Sequence, residues 1–412
     1  MVEETATQEI NTTFNKTKTH SLVFISMLVF MVSISLCWDN DYTNVGFFLS
    51  TFALVVTFLY DAKQNLRGFV AVLMSGYFWW VLAIIFLILF SIDNVTPENR
   101  FIQYVKIIMI LETIFTFGIS LFTLNRWNRK VFIDLCIACS LILCSWVLVN
   151  EFQDIINIRT DSRIGWSAGG SNPNYVGVLL GYFSTVIFYE YYKNKKKSFF
   201  VLLLVQYCFM FMTGSKKIII AIVVPIMVLT LLKSKKKNRL SYFVILLIIL
   251  IFLSLLVMKV KVLHDLMGVR IERTLMALGI MGYQADNSTT TRLHFMFEAL
   301  VHWLKKPFFG YGYQAFNYIL GFGTYSHINY LEMLVSFGLF GFLIYYGIYI
   351  LLLFKLFQIR KINSDADLFI MLLILQLVLD VAMVSYYDFM LFYVTIIAGW
   401  YFCKKSKKVK LF

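Results

Sequence analysis

Four of the five histidines, His264, His294, His302 and His327, fall between residues 259 and 328. His327 follows Ser326, and an apolar helix is expected from about Tyr330, so Ser326 reads as an N-cap and His327 stands at the positive end of a helix. The dipole there disfavours a second proton and keeps the imidazole neutral, able to accept a proton near pH 7. The same position also suits an interfacial capping histidine with no chemistry to do. Cations gather in the neighbouring polar segments: Arg163, Lys216, Lys217, Arg270, Arg273 and Arg292. Arg270 and Arg273, three apart, share a helical face. Guanidinium forks hold phosphate oxygens and stabilise a departing diphosphate, whereas pairing with lipid headgroups or carboxylates is the alternative for each.

Other constellations carry less chemistry. His294, Glu298 and His302, four apart, form one polar stripe of a helix, read as a solvated face rather than a metal site. Asp39 and Asp41 spell the D-x-D of many metal-dependent sugar transferases, but suit a turn equally. Lys106, Glu112, Asp134, Glu332 and Asp380 lie in apolar runs and are candidates for a buried polar site or proton path. Trp166, Tyr175, Tyr311, Tyr313, Tyr318 and Tyr325 offer faces and hydroxyls to sugar rings, or belong to an interfacial belt. The six cysteines all sit in or beside apolar segments, which indicates neither a disulfide framework nor a zinc site.

These residues need elements to position them, and composition says which kind. The 412 residues are 60% hydrophobic and only 15% charged, with a mean hydropathy of +0.76, which excludes a water-soluble fold. About twelve stretches approach the length needed to cross a bilayer: 21 to 38, 45 to 60, 69 to 92, 101 to 124, 131 to 150, 173 to 192, 198 to 213, 217 to 232, 240 to 258, 329 to 354, 366 to 384 and 388 to 402. The chain then divides into a tail (1–20), nine spans (21–258), a large external loop (259–328), three spans (329–402) and a basic tail (403–412). About two-thirds of the 37 Lys and Arg residues fall on the side of the termini, which the positive-inside rule makes cytoplasmic. The net charge of +14 is therefore topological, not a nucleic-acid footprint. The cytoplasmic loops are too short for a nucleotide-binding domain, so chemistry belongs in the membrane or outside. Within the external loop, residues 263 to 280 and 293 to 304 have helical periodicity, the second lying on the membrane surface.

Four motifs in order resemble a known family. Ser326-His327-Ile328-Asn329-Tyr330-Leu331-Glu332 with Gly338 and Gly341 resembles the H-N-x-x-L…G-x-x-G signature of O-antigen ligases and polymerases. Asn172-Pro173-Asn174 is similar to that family's N-P-N segment, Thr213-Gly214-Ser215-Lys216 to its G-S-R, and Arg292 through Lys306-Pro307-Phe308-Phe309-Gly310-Tyr311-Gly312 to its R…h-P-x-x-G-x-G. Lys216 and Lys306 stand where Arg and His are usual, and Ile328 separates His327 from Asn329. The resemblance implies an all-α polytopic bundle of about twelve helices with a helical external loop, similar to GT-C type glycosyltransferases. It implies a bacterial inner-membrane enzyme of capsule, O-antigen or exopolysaccharide assembly that transfers a glycan from polyprenyl diphosphate to a sugar hydroxyl, without cofactor or obligatory metal. Lipid-linked glycans and membrane lipids are its expected partners, with a repeat-unit flippase and a chain-length regulator. His327 would be the general base, with Arg270 and Arg273 as the diphosphate clamp supported by Arg292, Lys216 and Arg163. Asn172, Asn174, Tyr311, Tyr313 and Asn329 would contact substrate. A polymerase is the first reading; a ligase, or a transporter of lipid-linked sugars, is the alternative.

Overall fold

Apolar runs of this length satisfy their backbone polar groups only by coiling, and every regular element among the described residues is helical. The computed structural model describes residues 21–37, 43–60, 62–124, 128–157, 163–168, 172–234, 257–277, 287–387 and 390–408, with scattered positions between 241 and 255. The D-x-D at Asp39 and Asp41, and most of the expected span 240–258, lie outside them.

The helices are α1 (Ser21–Leu36), α2 (Thr43–Tyr60), α3 (Ala62–Leu73), α4 (Gly76–Phe90), α5 (Pro97–Leu124), α6 (Asn128–Asn150), α7 (Phe152–Ile156), α8 (Pro173–Asn194), α9 (Lys197–Met212), α10 (Lys217–Lys233), α11 (Val269–Ala277), α12 (Asn287–Lys305), α13 (Asn329–Ile359), α14 (Ala366–Leu379) and α15 (Met390–Lys408). Among them Asn99–Leu124, Arg129–Asn150 and Asn329–Ile359 are long and apolar enough to cross a membrane by themselves. Four further apolar helices, α1, α2, α9 and α14, are shorter.

One expected span is not continuous. Residues 69 to 92 divide into Leu66–Leu73 and Gly76–Phe90, bent by 65°. Ser75 restarts the helix, its hydroxyl oxygen accepting the Phe78 amide at 3.3 Å, and Gly76 lets the backbone approach the Trp400 ring, which a Cβ would meet at 2.8 Å.

At one end of the bundle, ion pairs tie four loops together. Arg129 meets Glu190 at 2.5 Å and Asp365 at 3.1 Å, Lys193 meets Asp365 at 2.5 Å, and Lys233 and Arg360 meet Asp367 at 2.7 and 2.5 Å. These loops all come from the side to which the charge distribution assigned the termini. The expected functional groups collect at the other end.

α13 is broken where the family motif places its first glycine. Gly338 has φ 63° and ψ −166°, a conformation open in practice only to glycine. The break would orphan two carbonyls before it and two amides after it, and the stretch 307–312 supplies all four partners. Tyr311 and Gly312 N–H donate to the Val335 and Ser336 carbonyls at 2.9 and 2.7 Å. Leu339 and Phe340 N–H donate to the Pro307 and Phe308 carbonyls at 2.8 and 3.1 Å. The proline-glycine stretch and the two-glycine stretch are thus the two halves of one non-local backbone joint. On its other side the joint is held by Asn94, whose amide donates to the Tyr311 carbonyl at 3.0 Å, and by Ser91, whose hydroxyl accepts the Tyr313 amide at 2.8 Å.

Candidate functional site

The joint presents the segment 325–328, and with it His327, at the start of α13. Its local cap differs from the expected one. Ser326 donates its hydroxyl to the Ile328 carbonyl at 3.1 Å, while its amide donates to the buried carboxylate of Glu332 at 2.7 Å. The residue at the cap is Ile328, which caps with no side chain. The helix start is fixed from a distance instead: Asn329 N–H donates to the Asp380 and Met383 carbonyls at 2.8 and 3.1 Å.

The Asn329 side chain is fully buried and committed to the protein. Its Nδ2 donates to the Tyr346 hydroxyl at 2.8 Å and to Asp380 Oδ2 at 3.3 Å, while its Oδ1 accepts the Ser385 and Tyr386 amides at 2.9 and 3.2 Å. Asp380 also accepts from the Tyr346 and Ser385 hydroxyls at 2.9 and 2.6 Å. The asparagine of the motif therefore locks the segment 380–386 onto the base of the histidine loop, a positioning duty rather than the substrate contact expected of it. Asn329→Ala would leave two amides and part of a carboxylate unsatisfied in the interior. A loss of about 2–4 kcal/mol is expected, read as a lower thermal midpoint of the solubilised protein; an unchanged midpoint would contradict this assignment.

His327 itself has φ 65°, a left-handed conformation that histidine adopts more readily than most side chains. Its ring lies nearly parallel to Phe295 (centroids 6.2 Å apart, 14° between planes) and edge-on to Tyr325 at 4.5 Å. Phe295 comes from α12, which packs through Phe295 and Ala299 against Phe316, Leu331 and Val335. The two stretches expected to be helical between 259 and 328 hold α11 and α12, and the face of Leu293, Met296, Phe297, Leu300 and Leu304 on α12 points away from the protein. Burial, and then the charges of Arg292 and Lys217, hold the imidazole down to about pKa 4. Its ring is therefore neutral across the physiological range.

The cations approach from three further elements. Arg163 is oriented by two hydrogen bonds, from Nε to the Thr213 carbonyl at 2.9 Å and from Nη2 to Asn174 Oδ1 at 2.8 Å. Its loop is shaped by buried Glu151, which accepts the Gly165 and Ser167 amides at 2.5 and 2.7 Å. Arg270 points at the same turn, its Nη1 donating to the Gly214 carbonyl at 3.5 Å. Burial and the neighbouring charges of Arg270 and Arg292 lower the Arg163 guanidinium to about 10. Among the described residues neither Arg163 nor Arg292 has a carboxylate partner. Unneutralised like charges around a partly buried centre are costly unless an anion joins them.

Of the residues expected from the sequence, the structure brings Arg163, Arg270, Arg292 and His327 together, with Asn174 orienting Arg163. Asn172 caps α8 by accepting the Asn174 amide at 3.0 Å. Tyr313 is buried, its hydroxyl donating to Gln103 at 2.6 Å, so it belongs to the packed interior. Tyr311 carries the Lys306 ammonium over its ring at 4.4 Å. Arg273 is exposed. Lys217, rather than its neighbour Lys216, is the lysine whose charge reaches His327. Lys216 stands out in the sequence through its place in the motif, and Tyr325 only as one of six candidate sugar-facing aromatics; Phe295 and Glu151 carry no local signal at all. Gly177 is what lets the N-P-N helix meet the 213–218 turn, since a Cβ there would lie 2.8 Å from Thr213 Oγ1.

A chain whose described regular elements are all helical, with an apolar exterior, is an integral membrane protein, and the charges of Arg292 and Lys217 reach His327 at one end of its bundle. Residues 199–346 match the family model described as O-antigen ligase, and the O-antigen ligase-like resemblance holds over that stretch. The match spans Lys217, Arg270, Arg292, His327 and the Gly338 joint; Arg163, Asn174 and Asp380 lie outside it. No curated protein matches the chain.

Proposed function

We propose that the protein is a polymerase of lipid-linked oligosaccharide repeat units, working at the outer face of a bacterial inner membrane that the chain crosses about twelve times with both termini cytoplasmic. The observation that carries this reading is a neutral histidine near Arg163 and Arg292, neither of which has a carboxylate partner among the described residues. An acceptor sugar hydroxyl gives its proton to a ring nitrogen of His327 as its oxygen bonds to the anomeric carbon of the donor. The bond from that carbon to the diphosphate oxygen breaks, and the polyprenyl diphosphate leaves with the electron pair, its charge met by Arg163, Lys217, Arg270 and Arg292. Arrival of the diphosphate also offsets the charges of Arg292 and Lys217, which relieves part of the depression of His327. The base thus strengthens when the donor is in place.

A ligase, which would hand a finished polymer to a separate anchor, would use the same centre, and it is the second reading because the matching family model is described as O-antigen ligase. Incubating the purified, detergent-solubilised protein with synthetic polyprenyl-diphosphate repeat units in EDTA and resolving the products on a gel tests the proposal. A ladder of lengthening glycans is expected. Transfer only to an added anchor acceptor would establish the ligase, and an untouched donor band under both conditions would remove the transferase reading.

A further inference from the structure

At the opposite end of α13 from His327, a cavity of about 290 Å³ opens beside the α3–α4 bend. Its lining includes Met74, Ser75, Lys355, Trp400, Tyr401 and Lys404, and among the described residues no carboxylate. The Lys355 ammonium sits 3.9 Å over the Trp400 ring. Among the described residues neither Lys355 nor Lys404 has an ion-pair partner. Arg67, exposed on α3, lies one turn before the cavity-lining Ala71 on the same helical face and adds a third positive charge.

The depth of this cavity in the membrane follows from its walls. α3 is amphipathic, carrying Arg67 among apolar residues, and turns by 65° into the apolar α4, the geometry of a helix lying in the interface before the chain enters the hydrocarbon. Trp400 and Tyr401 are interfacial side chains by type. The cavity's surroundings are apolar and exposed: Met74 is 81% exposed, and Leu351, one turn before Lys355, is 56% exposed. The volume lies at the lower limit of small-molecule sites, enough for a headgroup but not for acyl chains. The chains would run along the apolar outer surface.

We propose that this cavity binds the phosphate of an anionic phospholipid headgroup from the leaflet facing away from His327. Lys355 and Lys404 serve as its counter-ions, and Trp400 and Tyr401 form the wall against the glycerol backbone. The broken span contributes to the site: Met74 and Ser75, at the bend, line the cavity together with Trp400. The same face bears most of the chain's Lys and Arg, so it is the face on which anionic lipid would be drawn to the protein.

The test is native mass spectrometry of the full-length protein released from phosphatidylcholine nanodiscs doped with phosphatidylglycerol. Wild type is expected to retain phosphatidylglycerol. The Lys355→Gln/Lys404→Gln variant should retain it about fivefold less per lysine, or roughly thirtyfold less for the pair. Lys355→Arg/Lys404→Arg should restore retention, which separates lost charge from misfolding. Lys196→Gln/Lys197→Gln, on exposed residues of the same basic face, should leave it unchanged. Equal retention by wild type and the glutamine pair, or an equal loss in the Lys196/Lys197 control, would overturn the proposal. So would inorganic phosphate displacing the lipid signal at comparable concentration, because the site would then be one for free anions.

Discussion

Replacing His327 by Ala is expected to slow glycan transfer at least about a hundredfold while the protein still accumulates in the membrane. The ring touches Phe295 and Tyr325, and its loop is held by Glu332 and Asn329 rather than by the imidazole, so its loss removes a base without dismantling the loop. His294→Ala, on the exposed stripe of α12, should leave the rate unchanged. A His327→Ala protein that makes long chains at the wild-type rate would take the histidine out of the chemistry.

The pH dependence gives a finer test. The free site holds His327 at about 4, so the acidic limb of kcat/KM, which reports the free enzyme, should fall near that value. With the diphosphate bound, Arg292 and Lys217 are offset, and the limb of kcat should lie at higher pH. Coincident limbs would sink the idea that the donor strengthens its own base. Stability has its own sign. An unfolded histidine titrates near 6.5, so between about 6.5 and 4 the unfolded chain binds the extra proton. Stability is therefore lost as pH drops through that window, and His327→Ala should flatten the slope.

The sequence made much of the site legible because the family motifs are short and each holds a residue that the backbone or the chemistry requires. Hydropathy gave the helical class, and the segregation of Lys and Arg placed on one side four loops that the structure ties together through Asp365 and Asp367. What stayed hidden depends on contacts distant in sequence. Ser326 has the residue type of an N-cap, yet the helix start is held by carbonyls at Asp380 and Met383, more than fifty residues later. The choice between Lys216 and Lys217 turns on helical phase: Lys217 is the first residue of α10 and Lys216 precedes it, a one-residue difference that a motif read as a string does not resolve. The span 69–92 looked continuous because Ser75 and Gly76 are both tolerated in helices; only the Trp400 ring, over 300 positions away, shows why the chain bends there.

Gly338→Ala is the substitution expected to damage the structure most. The backbone at 338 sits where a Cβ is nearly excluded, which costs about 1–3 kcal/mol before any contact is considered. The added Cβ would lie 2.2 Å from the Phe308 carbonyl carbon and 2.3 Å from its oxygen, and these are backbone atoms, with no side-chain rotation to relieve the clash. Either α13 closes toward regular helix or the 307–312 stretch withdraws. In both cases the four hydrogen bonds that cross the break are lost, each worth about 1 kcal/mol and more when a buried group is left without a partner. The sum is at least about 5 kcal/mol, in the range that few single substitutions reach. The same joint presents the His327 loop, so transfer activity should disappear with the fold. Gly321→Ala is the informative control. Gly321 also has a left-handed φ, 73°, but a Cβ there would meet nothing within 4 Å, so only the conformational term applies, about 1 kcal/mol. Thermal midpoints of the two solubilised variants should therefore differ widely. If Gly338→Ala melts no lower than Gly321→Ala, the two glycine stretches are not the halves of one joint.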